Sequence, residues 1–141
     1  MGEIESFEVN NKNLPDKVLI ASQSSEFKST TVSAIIDELS DKELYIKVID
    51  VTRLESIDED PRNAVIILHT WEYNKPQEDA SNFIDKTNTP EKLIVIATAG
   101  DGNLRIKGID GISSASKLNE VDSMVSYVIS KLEEKEVIRK K

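Results

Sequence analysis

Hydroxyl side chains are concentrated at one point of the chain, in the segment SQSSEFKSTT (22–31), where six of the ten residues are serine or threonine. The segment follows a short apolar run and leads into a helix pattern. Hydroxyl groups, free backbone N–H groups and the positive end of a helix dipole together suit a phosphate group. Serine and threonine also gather at helix starts simply as caps. The pattern therefore leaves a phosphate site and a capping cluster as two open interpretations.

Two further loops follow apolar runs. The loop HTWEYNKPQED (69–79) contains Trp71, which must pack either on a neighbouring loop or on a flat ligand. The loop TAGDGN (98–103) contains two glycines, which let the backbone approach a ligand closely or simply turn the chain. His69 ends a buried run, and we expect it to be a hydrogen-bonded structural residue.

Composition excludes several kinds of chemistry. The chain has no cysteine and one histidine, so thiolate and multi-histidine metal sites are excluded. It contains no dinucleotide-binding G-x-G-x-x-G, no phosphate-binding G-K-S/T and no G-x-S-x-G motif. We therefore expect no catalytic side chain and no metal. A net charge of −8 would repel polyanions, so nucleic acid is not an expected partner.

Four apolar runs rich in valine and isoleucine predict strands: 17–22, 44–51, 64–70 and 92–98. Most of them do not alternate with polar residues, which is typical of parallel strands covered on both faces. The run 44–51 does alternate, as an edge strand would. A weaker fifth candidate covers 109–113.

Helix patterns lie between and after these runs, at 32–39, 76–86 and 118–132. Alternation of strands and helices gives right-handed crossovers and a mostly parallel sheet covered by helices. The predicted fold class is α/β, a three-layer sandwich. Ligands of such sheets bind beyond the carboxyl ends of the strands, where the three loops lie.

This arrangement resembles the flavodoxin family over residues 17–134. In that family a Thr/Ser-x-Thr-Gly-x-Thr loop binds the phosphate of FMN, a Thr-Trp pair covers the flavin ring, and a Gly-Asp pair follows the fourth strand. The matching residues here are Ser22, Gln23, Ser24, Thr70, Trp71, Gly100 and Asp101. The resemblance implies a five-stranded parallel sheet in the order 2-1-3-4-5.

The resemblance also implies FMN as the cofactor, held by the three loops that follow the strands. The residues that would hold it are Ser22, Gln23, Ser24, Ser29, Thr30, Thr31, Thr70, Trp71, Glu72, Tyr73, Thr98, Ala99, Gly100 and Asp101. The segment 29–31 enters this set because Phe27 stands where the family has its last loop hydroxyl.

The chain departs from the family pattern in two loops. Ser25 replaces the glycine of the phosphate loop, and Glu26 adds a carboxylate that would oppose a phosphate. Asn103 and Leu104 stand where a second aromatic residue commonly covers the flavin. Two hypotheses follow: an FMN-dependent electron carrier with a redox protein partner, or a cofactor-free module that binds a protein or an envelope component. Neither of these two is an enzyme. A third and less favoured hypothesis is a small flavin or quinone reductase, although no residue pattern here recognises a nicotinamide.

Domain organisation follows from composition. Residues 1–16 are acidic, asparagine-rich and aperiodic, which predicts a flexible tether; 17–136 form the domain and 137–141 a basic tail. No run approaches the ~18 to 20 apolar residues of a membrane span, so no transmembrane segment is expected. The expected compartment is the cytoplasm, or outside it if an export signal precedes these residues in the natural precursor.

Two connections are short. The gap 52–63 contains Pro61 and the gap 99–108 contains three glycines, so we expect the second and fourth helices to be reduced to a turn or two. The helix 76–86 would then cover one sheet face almost alone. An exposed apolar patch on that face would meet a partner, either a second copy in a homodimer or a redox or envelope protein.

Overall fold

The computed structural model describes residues 4–57, 62–70, 78–98, 110–114 and 118–139. These residues form a mostly parallel sheet with helices on both sides, which confirms the α/β class. The strands are β1 (Phe7–Val9), β2 (Lys17–Ser22), β3 (Tyr45–Asp50), β4 (Ala64–Thr70), β5 (Leu93–Thr98) and β6 (Asp110–Ser114). The helices are α1 (Glu26–Leu39), α2 (Glu78–Lys86) and α3 (Val121–Glu134), with short 3-10 helices at Val51–Ser56, Pro90–Lys92 and Leu118–Glu120.

The sheet has six strands in the order β1-β3-β2-β4-β5-β6. Strands β2 to β6 pair in parallel, whereas β1 is antiparallel to β3, with Phe7 opposite Val48 and Val9 opposite Ile46. The prediction of five strands was therefore wrong, and the order of the complete sheet differs from 2-1-3-4-5. The prediction of β3 as an edge strand was wrong as well, because β1 covers its free side.

The amino-terminal segment is fixed to the sheet at both ends of β1. The Ile4 amide donates to the Asp50 carboxylate at 3.1 Å. Asn10 has a left-handed backbone (φ 69°), and its side-chain amide donates to three carbonyl oxygens between α1 and β3, those of Ser40, Lys42 and Leu44. The predicted tether 1–16 thus contains a packed strand, because β3 offers it a free edge. The domain limits themselves stay a prediction.

One hydrophobic core lies between the sheet and helices α1 and α3. It contains fully buried Ile20, Ile66 and Ile96 from the strands, Ile35 from α1 and Val128 from α3.

The predicted basic tail 137–141 is partly packed into this same core. Val137 and Ile138 keep only 6% and 8% of their surface exposed. Just before them, Lys135 anchors the end of α3 beside the starts of β5 and β6, where its ammonium lies 2.6 Å from both the Asp110 carboxylate and the Glu91 carbonyl oxygen.

The opposite face is covered by α2 and by the 3-10 helix Val51–Ser56. Val51, Leu54, Ala80 and Phe83 pack there against strand side chains that are all buried. The exposed apolar patch predicted on this face is therefore absent from the described residues, and the partner predicted on it loses its basis. The connection between β3 and β4, where a reduced helix was predicted, contains this 3-10 helix in its described part, 51–57. The connection between β5 and β6, 99–109, lies outside the described residues.

None of the helices in the described part of the chain is long and apolar enough to span a bilayer.

Candidate functional site

Four strands end in hydroxyl residues at the carboxyl edge of the sheet: β6 ends at Ser114, and the other three have their hydroxyl residues on the side of α1. Ser22 ends β2, Thr70 ends β4 and Thr98 ends β5. Thr70 and Thr98 are opposite each other in the parallel register, and their hydroxyl oxygens lie 3.2 Å apart. The sequence placed these three residues at strand ends, and the fold brings them to one edge.

Lys28 joins this edge from the first turn of α1. Its side chain is 3% exposed, and its ammonium donates to the Thr70 hydroxyl at 3.0 Å and lies 3.5 Å from the Ser25 hydroxyl. A buried lysine needs polar partners because its charge loses hydration. The hydroxyl oxygens of Thr70 and Ser25 replace part of the hydration that the buried ammonium loses.

Sequence reasoning missed Lys28, although a signal for its burial was present. The apolar stripe of α1 includes Val32 and Ile35, and Lys28 precedes these residues by four and seven positions. Extending the stripe one turn toward the amino end therefore places position 28 on the buried face.

Ser25 is the N-cap of α1. Its backbone is extended and its hydroxyl accepts from the Lys28 amide at 3.2 Å. The capping interpretation of the serine cluster therefore holds for this residue. Glu26 is exposed in the first helical turn, where a carboxylate interacts favourably with the helix dipole.

The predicted residues at the end of β2 are bonded within the edge itself. The Ser22 hydroxyl donates to the Gln23 carbonyl oxygen at 2.8 Å. The Gln23 amide donates to the Leu68 carbonyl oxygen at 3.1 Å, and the Gln23 side chain accepts from the Thr70 amide. Ser24 is half-buried. These contacts tie the end of β2 to β4.

The predicted hydroxyls of α1 point in different directions. Ser29 and Thr30 are exposed, whereas Thr31 is fully buried and donates to the Phe27 carbonyl oxygen at 2.8 Å. They do not converge on one point. The other predicted site residues, Trp71, Glu72, Tyr73, Ala99, Gly100 and Asp101, lie outside the described residues.

His69 lies next to this edge but on the α2 side of the sheet. It is fully buried, and its Nδ1 lies 3.3 Å from the Thr70 carbonyl oxygen. Burial lowers the pKa of His69 from 6.5 to about 4; the hydrogen bond to Thr70 opposes this shift and the nearby Lys28 charge adds to it. The imidazole is therefore neutral at pH 7, as a buried structural histidine would be.

The edge contains hydroxyls, a buried cation and a neutral imidazole. Among the residues that the structure describes, no three histidine, cysteine or acidic side chains are grouped so that they could hold a metal ion. Such an arrangement can bind a partner group through hydrogen bonds and charge.

Comparison by sequence gave no matching family model and no matching curated protein. Among solved structures, the chain is similar to the crystal structure of oxidised Flavodoxin 2 from Bacillus cereus, with a TM-score of 0.52 and 15% identity. The similarity covers 84% of this chain and 99% of the flavodoxin.

The crystal structure of a lysine decarboxylase from Francisella novicida gives a TM-score of 0.48 at 15% identity, over 85% of this chain and 18% of that enzyme. The flavodoxin match has low identity and shows the fold alone, which is flavodoxin-like.

Proposed function

We propose that this chain is a flavodoxin-like binding module that works without FMN. The observation that carries the proposal is the position of Lys28. Its ammonium donates to the hydroxyl of Thr70, a residue that the resemblance assigned to the cofactor, while its side chain stays 3% exposed. A group of the protein itself therefore occupies contacts that a ligand would need.

The hydroxyls of α1 support the same conclusion. Successive residues of a helix point about 100° apart, so 29, 30 and 31 cannot face one phosphate together. The Thr31 hydroxyl is already bonded to the Phe27 carbonyl oxygen. At most one of these hydroxyls could replace the hydroxyl that the family's phosphate loop has at the position of Phe27, which supports weak or absent binding of the FMN phosphate.

The remaining chemistry of the edge favours binding over catalysis. His69 is buried and its pKa of about 4 keeps it neutral at pH 7, so it is poorly placed to exchange protons with a substrate. The other polar groups that the structure describes at this edge are hydroxyls, amides, the Lys28 ammonium and the Asp50 carboxylate, and Lys28 and Asp50 are both buried in hydrogen bonds within the fold. The module then acts by holding a partner, which agrees with the cofactor-free hypothesis drawn from the sequence.

An FMN-dependent electron carrier is the second candidate. It is favoured by the positive charge of Lys28 beside the amino end of α1, where an anion would be stabilised. The fold likeness to a flavodoxin agrees with it as well.

Titration of the full chain with FMN separates the two candidates. We expect no saturable change in flavin fluorescence or absorbance and no FMN-dependent rise in melting temperature, because Lys28 already contacts the Thr70 hydroxyl and the hydroxyls of 29–31 do not converge on one point. Stoichiometric uptake at micromolar FMN would refute the proposal and support the carrier.

A pair of lysine variants identifies where any FMN binds. Under the carrier hypothesis Lys28→Met removes the charge next to the phosphate and weakens FMN binding by about tenfold or more. Lys12→Met, which changes an exposed lysine, is the matched control. Under the proposal neither variant alters the flavin signal.

A further inference from the structure

A small cavity lies between the amino-terminal segment and helix α1, on the α1 side of the sheet. Its volume is about 220 Å³. Its lining combines apolar side chains with hydroxyls and one carboxylate: Ile4, Phe7, Val32 and Val48, Ser22, Ser29 and Ser33, and Glu5. We call this feature the β1–α1 groove.

Phe7 forms one wall of the groove. It is opposite Val48 in the antiparallel pair, so both side chains lie on the same face of the sheet. At 46% exposure it is the one large apolar side chain classed as exposed in the described part of the chain. Burial of this ring by a partner would remove apolar surface from water and favour binding.

The size of the groove limits its occupant. Sites for drug-sized ligands and cofactors usually enclose about 300 to 1,000 Å³. A cavity of about 220 Å³, in which four of the eight lining residues are aliphatic or aromatic, suits one apolar side chain. Such a single anchor is how many protein interfaces concentrate their binding energy.

The exposed charges that the amino-terminal segment, 4–10, and α1 bring close to the groove are negative. Glu5 lines the groove and is exposed, whereas Glu8 lies on the other face of the sheet, where it accepts from the Tyr45 hydroxyl. The exposed charged residues of α1 that lie nearest to 29, 32 and 33 around the helix are also acidic, namely Glu26 and Asp37, whereas Glu38 lies on the opposite flank. Lys28, the only basic residue of these two segments, is buried at the sheet edge. A negative rim around an apolar centre attracts and orients a basic partner.

We propose that the β1–α1 groove binds a segment of a partner protein in which lysine or arginine residues flank one apolar side chain. The apolar side chain enters between Phe7 and Val32, and the basic residues contact the acidic rim. The inference rests on the proposed function and names the kind of partner that the module holds. A second copy of the chain would bring the same acidic residues together, and anionic lipid would be repelled.

The groove is tested with a defined peptide on the full ¹⁵N-labelled chain. The probe is acetyl-Lys-Lys-Phe-Lys-Lys-amide, and the control peptide has alanine in place of phenylalanine. We expect amide shift changes concentrated at 4–9, 29–33 and 48, weakened by added salt. The alanine peptide should bind about tenfold more weakly or worse, because it lacks the apolar anchor.

Two matched variants locate the binding surface. Ser33→Lys places a positive charge at the mouth of the groove, whereas Ser126→Lys makes the same change at an exposed site on α3. We expect Ser33→Lys to weaken binding of the phenylalanine peptide about threefold or more, and Ser126→Lys to have little effect on that binding.

Several results would overturn this inference: equal binding of the two peptides, equal effects of the two variants, shifts that map elsewhere, or no binding. Concentration-dependent shifts of the groove without peptide would show that a second copy is the occupant. Uptake of FMN would refute the proposed function while leaving the peptide result as it is, so the two failures are distinguishable.

Discussion

Replacement of Asp50 by alanine is expected to lower the free energy of unfolding by about 2 to 3 kcal/mol. The carboxylate is 4% exposed and accepts three hydrogen bonds, from the Ile4 amide at 3.1 Å, the Thr52 amide at 3.1 Å and the Thr52 hydroxyl at 2.8 Å. A hydrogen bond to a charged group contributes about 1.5 to 3 kcal/mol. In the alanine variant, water can hydrogen-bond to the exposed Thr52 and so replaces part of the lost bonds to Asp50. The half-buried Ile4 amide gains less from water.

Urea unfolding followed by far-UV circular dichroism measures this loss. With a slope of about 2 kcal/mol per molar, the midpoint should fall by about 1 to 1.5 M urea. Asp50→Asn keeps one acceptor oxygen and should lose about half as much. Because Asp50 holds the segment that precedes β1, the amides of 7–9 should also exchange hydrogen faster in the alanine variant. An unchanged midpoint, or unchanged exchange in β1, would refute this account of Asp50.

Three other perturbations have defined outcomes. The pKa of His69 is about 4 in the folded chain and 6.5 in unfolded chains, so the unfolded state binds the proton more tightly. The free energy of unfolding is therefore highest above pH 6.5, and it falls by about 3 kcal/mol as the pH is lowered to 4. His69→Gln should flatten urea midpoints between pH 7 and 5, and an equal slope would contradict this. Ser25→Ala should cost about 1 kcal/mol through loss of the α1 cap, against Ser40→Ala at the exposed helix end as control, in the same urea assay. Leu54→Ala should lower the free energy of unfolding by about 2 to 5 kcal/mol, because Leu54 is a fully buried side chain by which the 3-10 helix packs on the sheet. The control Glu55→Ala changes an exposed residue of the same helix and should alter stability by less than about 0.5 kcal/mol. Similar values for the two variants would mean that the 3-10 helix does not cover the sheet.

The central strands could be predicted because their signal is local. The runs 17–22 and 64–70 coincide with β2 and β4. Both consist mainly of valine, isoleucine, leucine and alanine without alternation, and both strands are buried on two faces. The place of the candidate site followed from the same signal, since strand ends define the carboxyl edge.

The edges of the fold could not be predicted because tertiary contacts decide them. Phe7–Val9 is too short to show a period, and it becomes a strand because β3 offers an unpaired edge. Residues 137 and 138 look like part of a basic tail. Glu136 adopts a left-handed backbone (φ 61°), which turns the chain back so that the Val137 amide donates to the Leu132 carbonyl oxygen at 2.9 Å.

The individual roles of the loop hydroxyls could not be predicted either. Ser25, Ser29 and Thr31 belong to one serine- and threonine-rich segment, yet one caps a helix, one faces solvent and one is buried. Helix phase assigns these roles, and the start of α1 at Glu26, six residues before the predicted start, sets that phase.

The two anchors at Asp50 and Lys135 place the ends of the described chain at opposite edges of the sheet. Ile4 lies beside Asp50 at the carboxyl edge, whereas Lys135 lies beside Asp110 at the amino edge. A biotin or fluorescent label joined to the amino end would therefore sit next to the β1–α1 groove and obstruct it. Attachment through the carboxyl end presents that groove to the solution, which makes it the orientation of choice for an immobilised binding assay.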